Sequence, residues 1–359
     1  MENKNNYSIE SFYKEFIKKK KFILVILIAL TLFTMTFSIS IGSMKFTFKQ
    51  VLVAIFGDIL GLQSEEMTQY VILSIRFPRV MLAVISGMAL GAAGAVMQGI
   101  LRNPLASPYT LGVSSGAAFG AAIAIVMGKS IFGLKLVQTS PFLIAFNAFV
   151  FGALSLALVY LIGKIKGATT TILLLSGVAV GSLFSAGISV LKYFSNNEAL
   201  RNLDLWLMGG FWGANLKNIK ILSPVILLCF IILIKYSSDI NALSMGEDIA
   251  KTLGVNVKRT ILLTLITVTF MASATIAFSG VIGFVGLIAP HISRNILGSD
   301  NKYLIIGSAF VGALLLLLSD TLARTIISPI EIPVGIVTSL IGAPFFIYIL
   351  VKKDKKHWE

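Results

Sequence analysis

The sequence predicts an all-α polytopic membrane protein with about ten transmembrane helices. Three observations predict it. Of 359 residues, 56% are hydrophobic and only 13% are charged, where a soluble domain carries about 25% charged residues. The mean hydropathy is +0.90. Charge-free runs, most of them close to the roughly 20 apolar residues that cross a bilayer, then divide the chain from end to end. This composition excludes an ordinary cytosolic enzyme, a disordered chain and a disulfide scaffold. With 16 acidic residues, two histidines and one cysteine, the chain is too poor in ligands for a metal cage or a paired-cysteine framework. No metal ligands are assigned.

The spans fall near 22–41, 80–101, 111–127, 141–163, 170–193, 219–236, 259–281, 282–297, 303–320 and 334–351. The first follows a basic flank, Lys18 to Lys21, that would suit a secretory signal. About 20 residues precede the apolar run and no small-residue cleavage site follows it cleanly, so it reads as a retained span. Ten spans put both termini on one side. By these boundaries roughly 19 basic residues lie on that side and about 11 on the other, which makes both tails cytoplasmic. The chain thus divides into a basic N-tail (1–21), a membrane domain (22–351) with a cytoplasmic loop at 237–258, and a basic C-tail (352–359). The net charge of +14 is largely this topology signal. No basic stretch interleaved with aromatics supports a nucleic-acid partner.

Between the first two spans, Val51, Leu52, Ile55, Phe56, Ile59 and Leu60 recur at helical spacing. They predict a short packing helix on the outer surface. Gly128-Lys129-Ser130 resembles the end of a phosphate loop, but the glycine required five residues earlier is Ile123. No other Gly-Lys-Ser/Thr occurs, so ATP hydrolysis by this route is not expected of the chain. Ion-coupled carriers bury ionisable groups at mid-membrane, and these spans are nearly bare of them. Asp320 and Arg324 have the spacing of a helical ion pair. A pore-forming subunit driven by a separate motor would have these properties.

Three segments and a set of outer arginines carry the chemistry. In 76–116, Gly87, Gly91 and Gly94 let neighbouring helices approach closely. Gln98 follows on the same helix, and Asn103-Pro104 and Ser107-Pro108 then turn the chain on the cytoplasmic side. In 279–294, Gly280, Gly283 and Gly286 recur every third residue, followed by Pro290 and His291. They predict a short or broken helix, and such backbone needs cover from protein or a water-filled cavity. Tight packing and a pathway wall both fit. In 237–258, Ser244 and Glu247 have capping-box spacing, and Gly246 lies between them. Ile249, Ala250 and Leu253 share a face, and Gly254 ends the helix. That face is covered either by the bundle or by a cytoplasmic partner. On the outer side, Arg76, Arg79 and Arg324 lie at span ends, where basic residues should be scarce. Snorkelling to headgroups and docking of an acidic partner both account for them.

Together these residues resemble the FecCD family, the permeases of ABC importers for iron–siderophores, haem and cobalamin. Arg76-Phe77-Pro78-Arg79 through Gln98, Asn103-Pro104-Leu105-Ala106 and Leu111-Gly112-Val113-Ser114 look like the family's second-span block. Gly246, Ala250, Leu253 and Gly254 look like its coupling loop. Gly280 to Gly286, Pro290-His291 and Arg294 look like its most recognisable block. Trp206-Leu207-Met208-Gly209-Gly210, Glu331-Ile332-Pro333-Val334-Gly335 and Gly342-Ala343-Pro344 add to the match.

The resemblance implies a type II ABC importer permease fold and a dimer with the translocation path along its interface. The homodimer is the expected form. It further implies two ATPase subunits engaged by 240–258, with ATP on those partners and no cofactor on this chain. An outer substrate-binding protein would meet Arg76, Arg79 and Arg324, which tips those arginines toward docking. The expected cargo is a metal chelate, with ferric siderophore ahead of haem and cobalamin. An ion-coupled carrier and an intramembrane enzyme are the competing classes.

Overall fold

A computed structural model describes residues 2–42, 44–62, 64–128, 141–166 and 169–351. Lys129 and Ser130 of the phosphate-loop look-alike and the basic tail at 352–359 lie outside them. Among the described residues the chain is helical and without strands. In order, the helices are α1 (Glu2–Ser40), α2 (Phe48–Leu60), α3 (Glu66–Tyr70), α4 (Phe77–Ile100), α5 (Val113–Met127), α6 (Pro141–Lys166), α7 (Thr170–Tyr193) and α8 (Asn197–Met208). There follow α9 (Leu216–Lys235), α10 (Ser237–Ser244), α11 (Glu247–Thr252), α12 (Val257–Ser279), α13 (Val285–Leu297), α14 (Asn301–Thr325) and α15 (Val334–Val351).

Seven of these stretches are long and apolar enough to cross a membrane, and shorter apolar helices include Val113–Met127 and Val334–Ile349. Each of the ten expected spans coincides with a helix. The boundaries move where side chains outside the apolar run favour helix. The second span is part of one continuous helix from Glu66 to Ile100. It passes through a π turn at Val71–Arg76, which absorbs one extra residue without breaking the helix. Arg76 and Arg79 therefore sit inside this helix rather than before it. Helix α8 is an addition to the expected spans. Its signals are local, an Asn196 side chain accepting from Ala199 N and Glu198 in the first turn.

Membrane helices gain little from hydrophobic burial against one another, so close backbone packing has to hold them. Helix α4 does this with its glycines. A Cβ on Gly87 would lie 2.4 Å from Gly312 O, on Gly91 2.0 Å from Ser308 O, and on Gly94 1.9 Å from Gly286 O. The order of these pairs makes α4 and α14 antiparallel. Polar side chains within the helices mostly bond their own backbone. Thr31, Thr264, Thr275 and Ser279 each donate to the carbonyl four residues earlier, which satisfies the hydroxyl without a partner helix.

The broken region is built from backbone. Helix α12 stops at Ser279, residues 280–284 are not helical, and α13 begins at Val285. Here Gly210 N donates to Ser279 O at 2.8 Å, Gly335 N to Gly209 O at 3.4 Å, and Tyr109 Oη to Ile282 O at 2.7 Å. Gly209 (φ 68°) and Gly280 (φ 66°) take left-handed conformations, and a Cβ on either would strike a carbonyl oxygen at 2.3 Å. Non-helical backbone is thus covered by protein, as membrane depth requires.

Candidate functional site

The bundle has a near end, where α1 begins, and a far end, where it finishes. At the far end the C-terminus of α1 exposes carbonyls that no helical N–H reaches. Arginines supply the missing donors. Arg76 Nη1 donates to Ile39 O at 2.6 Å and Ser40 O at 3.3 Å, and Arg76 Nη2 donates to Met44 O. Arg324 Nη2 donates to Ser38 O at 3.1 Å and Nη1 to Ile41 O at 3.2 Å. Two positive charges at a helix C-terminus also suit its dipole.

The counter-charge is Asp320, 0% exposed. It accepts from Arg79 Nε at 2.9 Å through Oδ1 and from Arg324 Nε at 3.0 Å through Oδ2. Arg79 Nη1 then reaches Glu331 Oε2 at 2.7 Å, while Arg79 Nη2 is buried with no hydrogen-bond partner among the described residues. The expected Asp320–Arg324 pair is present. Arg79 lies 241 residues from Asp320 and 252 from Glu331 along the chain, so no local spacing reveals that these groups join the pair.

The three arginines thus meet at one end, as expected, but with their guanidinium groups turned inward. Arg76 is 6% and Arg324 8% exposed. Glu331, with its side chain 37% exposed, is the part of this clasp that faces out.

At the near end, the loop 237–258 forms two helices, α10 and α11, rather than one. The expected capping box does not form. Ser244 is the last residue of α10 and its Oγ donates to Ile240 O at 2.8 Å. Gly246, at φ 126°, is the N-cap of α11, with no side-chain cap; glycine's conformational freedom, rather than a Ser–Glu pair, makes this start. Glu247 is exposed. Ile249, Ala250 and Leu253 do not share one environment. Ala250 is fully buried, whereas Ile249 (47%) and Leu253 (64%) are exposed beside Met245 (68%). Gly254, at φ 81°, follows as the turn residue.

Next to this surface, Leu101 to Pro104, Thr170 and Ser244 line a cleft of about 530 Å³. Asn103 Oδ1 accepts from Leu105 N at 2.9 Å, the local bond that fixes an Asx turn before Pro104. Gln98 is buried and accepts from Arg294 Nη2 at 3.1 Å. Pro290 lies inside α13, and the His291 ring meets Phe345 edge-on at 5.9 Å. Gly87, Gly91, Gly94 and Gly286 are packing contacts, and Gly280 is a turn. A Cβ on Gly283 would meet nothing within 4 Å.

Residues 30–352 match the FecCD transport family. The chain belongs to it. FecCD relatives include the Fe(3+)-citrate import system permease of Bacillus subtilis, 35% identical over 340 residues (94% of this chain, 98% of that protein). The hemin transport system permease of Yersinia pestis is 36% identical over 340 residues (93% of this chain, 96% of that protein). A solved structure of a metal-chelate type ABC transporter in an inward-facing conformation superposes with a TM-score of 0.80 at 35% identity, covering 92% of this chain and 99% of that one. The fold is therefore that of an ABC importer permease with about ten membrane helices, and this FecCD chain is a multi-pass membrane protein. The three sequence blocks that carry the resemblance fall on the glycine face of α4, the α10–α11 pair and the break before α13.

Proposed function

We propose that this chain is the membrane-spanning permease of an ATP-driven importer for a metal chelate, with a ferric siderophore as cargo. The match to the FecCD transport family across residues 30–352 carries this reading, and the ferric citrate permease among its relatives supports the cargo. The near end is cytoplasmic. There, two ATPase subunits bind over Met245, Ile249 and Leu253, whose exposed apolar tips have no use in water. ATP belongs to those subunits, and this chain binds no cofactor of its own.

A second copy of the permease completes the path. The exposed side of α7 mixes Ser182, Ser185 and Ser189 with Leu183 and Val190, whereas the exposed side of α9 is Leu227, Leu228 and Ile231. Lipid favours the second pattern; hydroxyls suit a neighbouring chain or a wet path. An acidic substrate-binding protein docks at the far end, over Arg79 and Glu331, drawn by the positive charge gathered there. Arg76 and Arg324 shape that surface from beneath. ATP turnover moves α10 and α11, and the path opens to one side and then the other by differential affinity for the two states.

The test is uptake of labelled ferric siderophore, hemin and cobalamin by cells with and without the chain. Loss confined to the siderophore supports the proposed cargo, while loss confined to hemin or cobalamin replaces it with that substrate. Vesicle transport that needs no ATP and collapses with an ionophore would overturn the mechanism in favour of a secondary carrier.

A further inference from the structure

Helix α10 is held to its neighbours by one polar residue on each side. Toward α12, Asp239 Oδ2 accepts from Thr260 Oγ1 at 3.2 Å. Toward α14, Asn241 makes three bonds: its Oδ1 accepts from Asn301 N and from Asn301 Nδ2, both at 2.8 Å, and its Nδ2 donates to Asp300 Oδ1 at 2.9 Å. Asp300 is also the N-cap of α14, accepting from Lys302 N. One amide thus holds the first turn of α14 by its cap, its backbone and its first side chain. Ile240, fully buried, brings α10 against α4 as well: its Cγ2 lies 2.7 Å from where a Cβ on Gly99 would stand.

Helix α14 is suited to carry a displacement. It runs 25 residues without a proline to interrupt its hydrogen bonding, about 37 Å at 1.5 Å per residue. Its middle is keyed into α4 through Ser308 and Gly312. Its far turn carries Asp320 and Arg324, which hold Arg79 and the end of α1. The same rod therefore has the Asn241 clamp at one end and the arginine clasp at the other.

We propose that Asn241 is a positioning residue for transport: it passes movement of α10 and α11 to α14 and so links ATPase turnover to the far end of the path. The inference rests on the reading that ATPase subunits bind at the near end. It assigns a role to a side chain that touches neither the ATPase surface nor the cargo. A clamp of this kind differs from a purely structural contact in one respect. Weakening it lowers the cargo moved per ATP, rather than lowering both rates together.

The experiment uses the assembled importer, with its ATPase and binding protein, in proteoliposomes with ATP inside and a ferric siderophore supplied outside as probe. Asn241→Asp replaces the donor facing Asp300 with a carboxylate. It should lower uptake per ATP hydrolysed about tenfold, the scale of losing a part-buried hydrogen bond and gaining a like-charge contact, while the ATPase subunits still co-purify. Pairing it with Asp300→Asn restores one donor and one acceptor with the direction reversed, and asparagine remains a good N-cap. The double variant should return uptake per ATP to within about twofold of the wild type, a coupling that the single changes cannot give additively.

An unchanged ratio in Asn241→Asp overturns the inference, as does a double variant no better than the single one. If the wild-type chain recruits no ATPase subunits, the near-end reading falls and the inference falls with it. If it recruits them and the ratio is unmoved, the inference alone is wrong.

Discussion

The two ends of the molecule solve opposite problems. The far end concentrates charge and closes it on itself: three arginines, a buried aspartate and the last carbonyls of α1 satisfy one another almost completely. The near end carries more of the basic residues and is left open: Met245, Ile249 and Leu253 are exposed around two short helices that bury Ile240, Leu243 and Ala250. A residue type that advertises a partner in the sequence, arginine on the side where arginine is scarce, is mostly used up inside the fold. On the proposed reading, the ordinary leucine and isoleucine are the groups left over for binding, and unsatisfied surface rather than unusual residues marks where a partner sits.

The largest effect should come from Asp320→Asn. It leaves Arg79 and Arg324 sharing a buried site without their counter-charge, a loss of about 3–5 kcal/mol for a broken buried pair. Thermal unfolding in detergent should shift markedly downward, and a melting profile equal to the wild type's would mean that the clasp contributes little to the fold. Next is Leu253→Asp combined with Ile249→Asp. Both positions are exposed, so stability should be nearly unchanged, while affinity for the ATPase subunits drops roughly tenfold or more, as for loss of apolar anchors. Unaltered co-purification would remove the near end's claim to be a docking surface. Glu331→Gln is the smallest. Its pair with Arg79 is partly exposed, so stability should change by less than about 1 kcal/mol. Affinity for an acidic binding protein should rise a few-fold, because Glu331 no longer competes for Arg79. Weaker binding would show instead that Glu331 itself faces the partner.

The helices could be read from the sequence because the bilayer excludes charge, so a charge-free run of span length marks a membrane helix. Even the short α13 was visible, through glycine and proline density before and within it. What escaped was set by contacts between distant residues or by backbone. The Asp320–Arg324 pair was legible at a spacing of four, but Arg79 and Glu331 join it only through tertiary packing. The continuation of α4 back to Glu66 was hidden because Glu65 and Glu66 look like loop residues, although Glu66 suits a helix first turn. Ser244 and Glu247 matched a capping pattern, yet Gly246 between them fixes the break. Asn241 gave no signal at all: one asparagine in a polar loop is indistinguishable from a solvated one until Asp300 and Asn301 are beside it.

The glycine-lined break between α12 and α13 changes how mutational scans of this protein should be interpreted. Alanine scanning ordinarily finds important positions by taking atoms away. Around Gly209, Gly280 and Gly335, the contacts are main chain against main chain, and a methyl on Gly335 would stand 2.1 Å from Met208 O. There the informative substitution is the one that adds a single carbon. A scan that treats glycine-to-alanine as its mildest change would make its severest perturbation at this site.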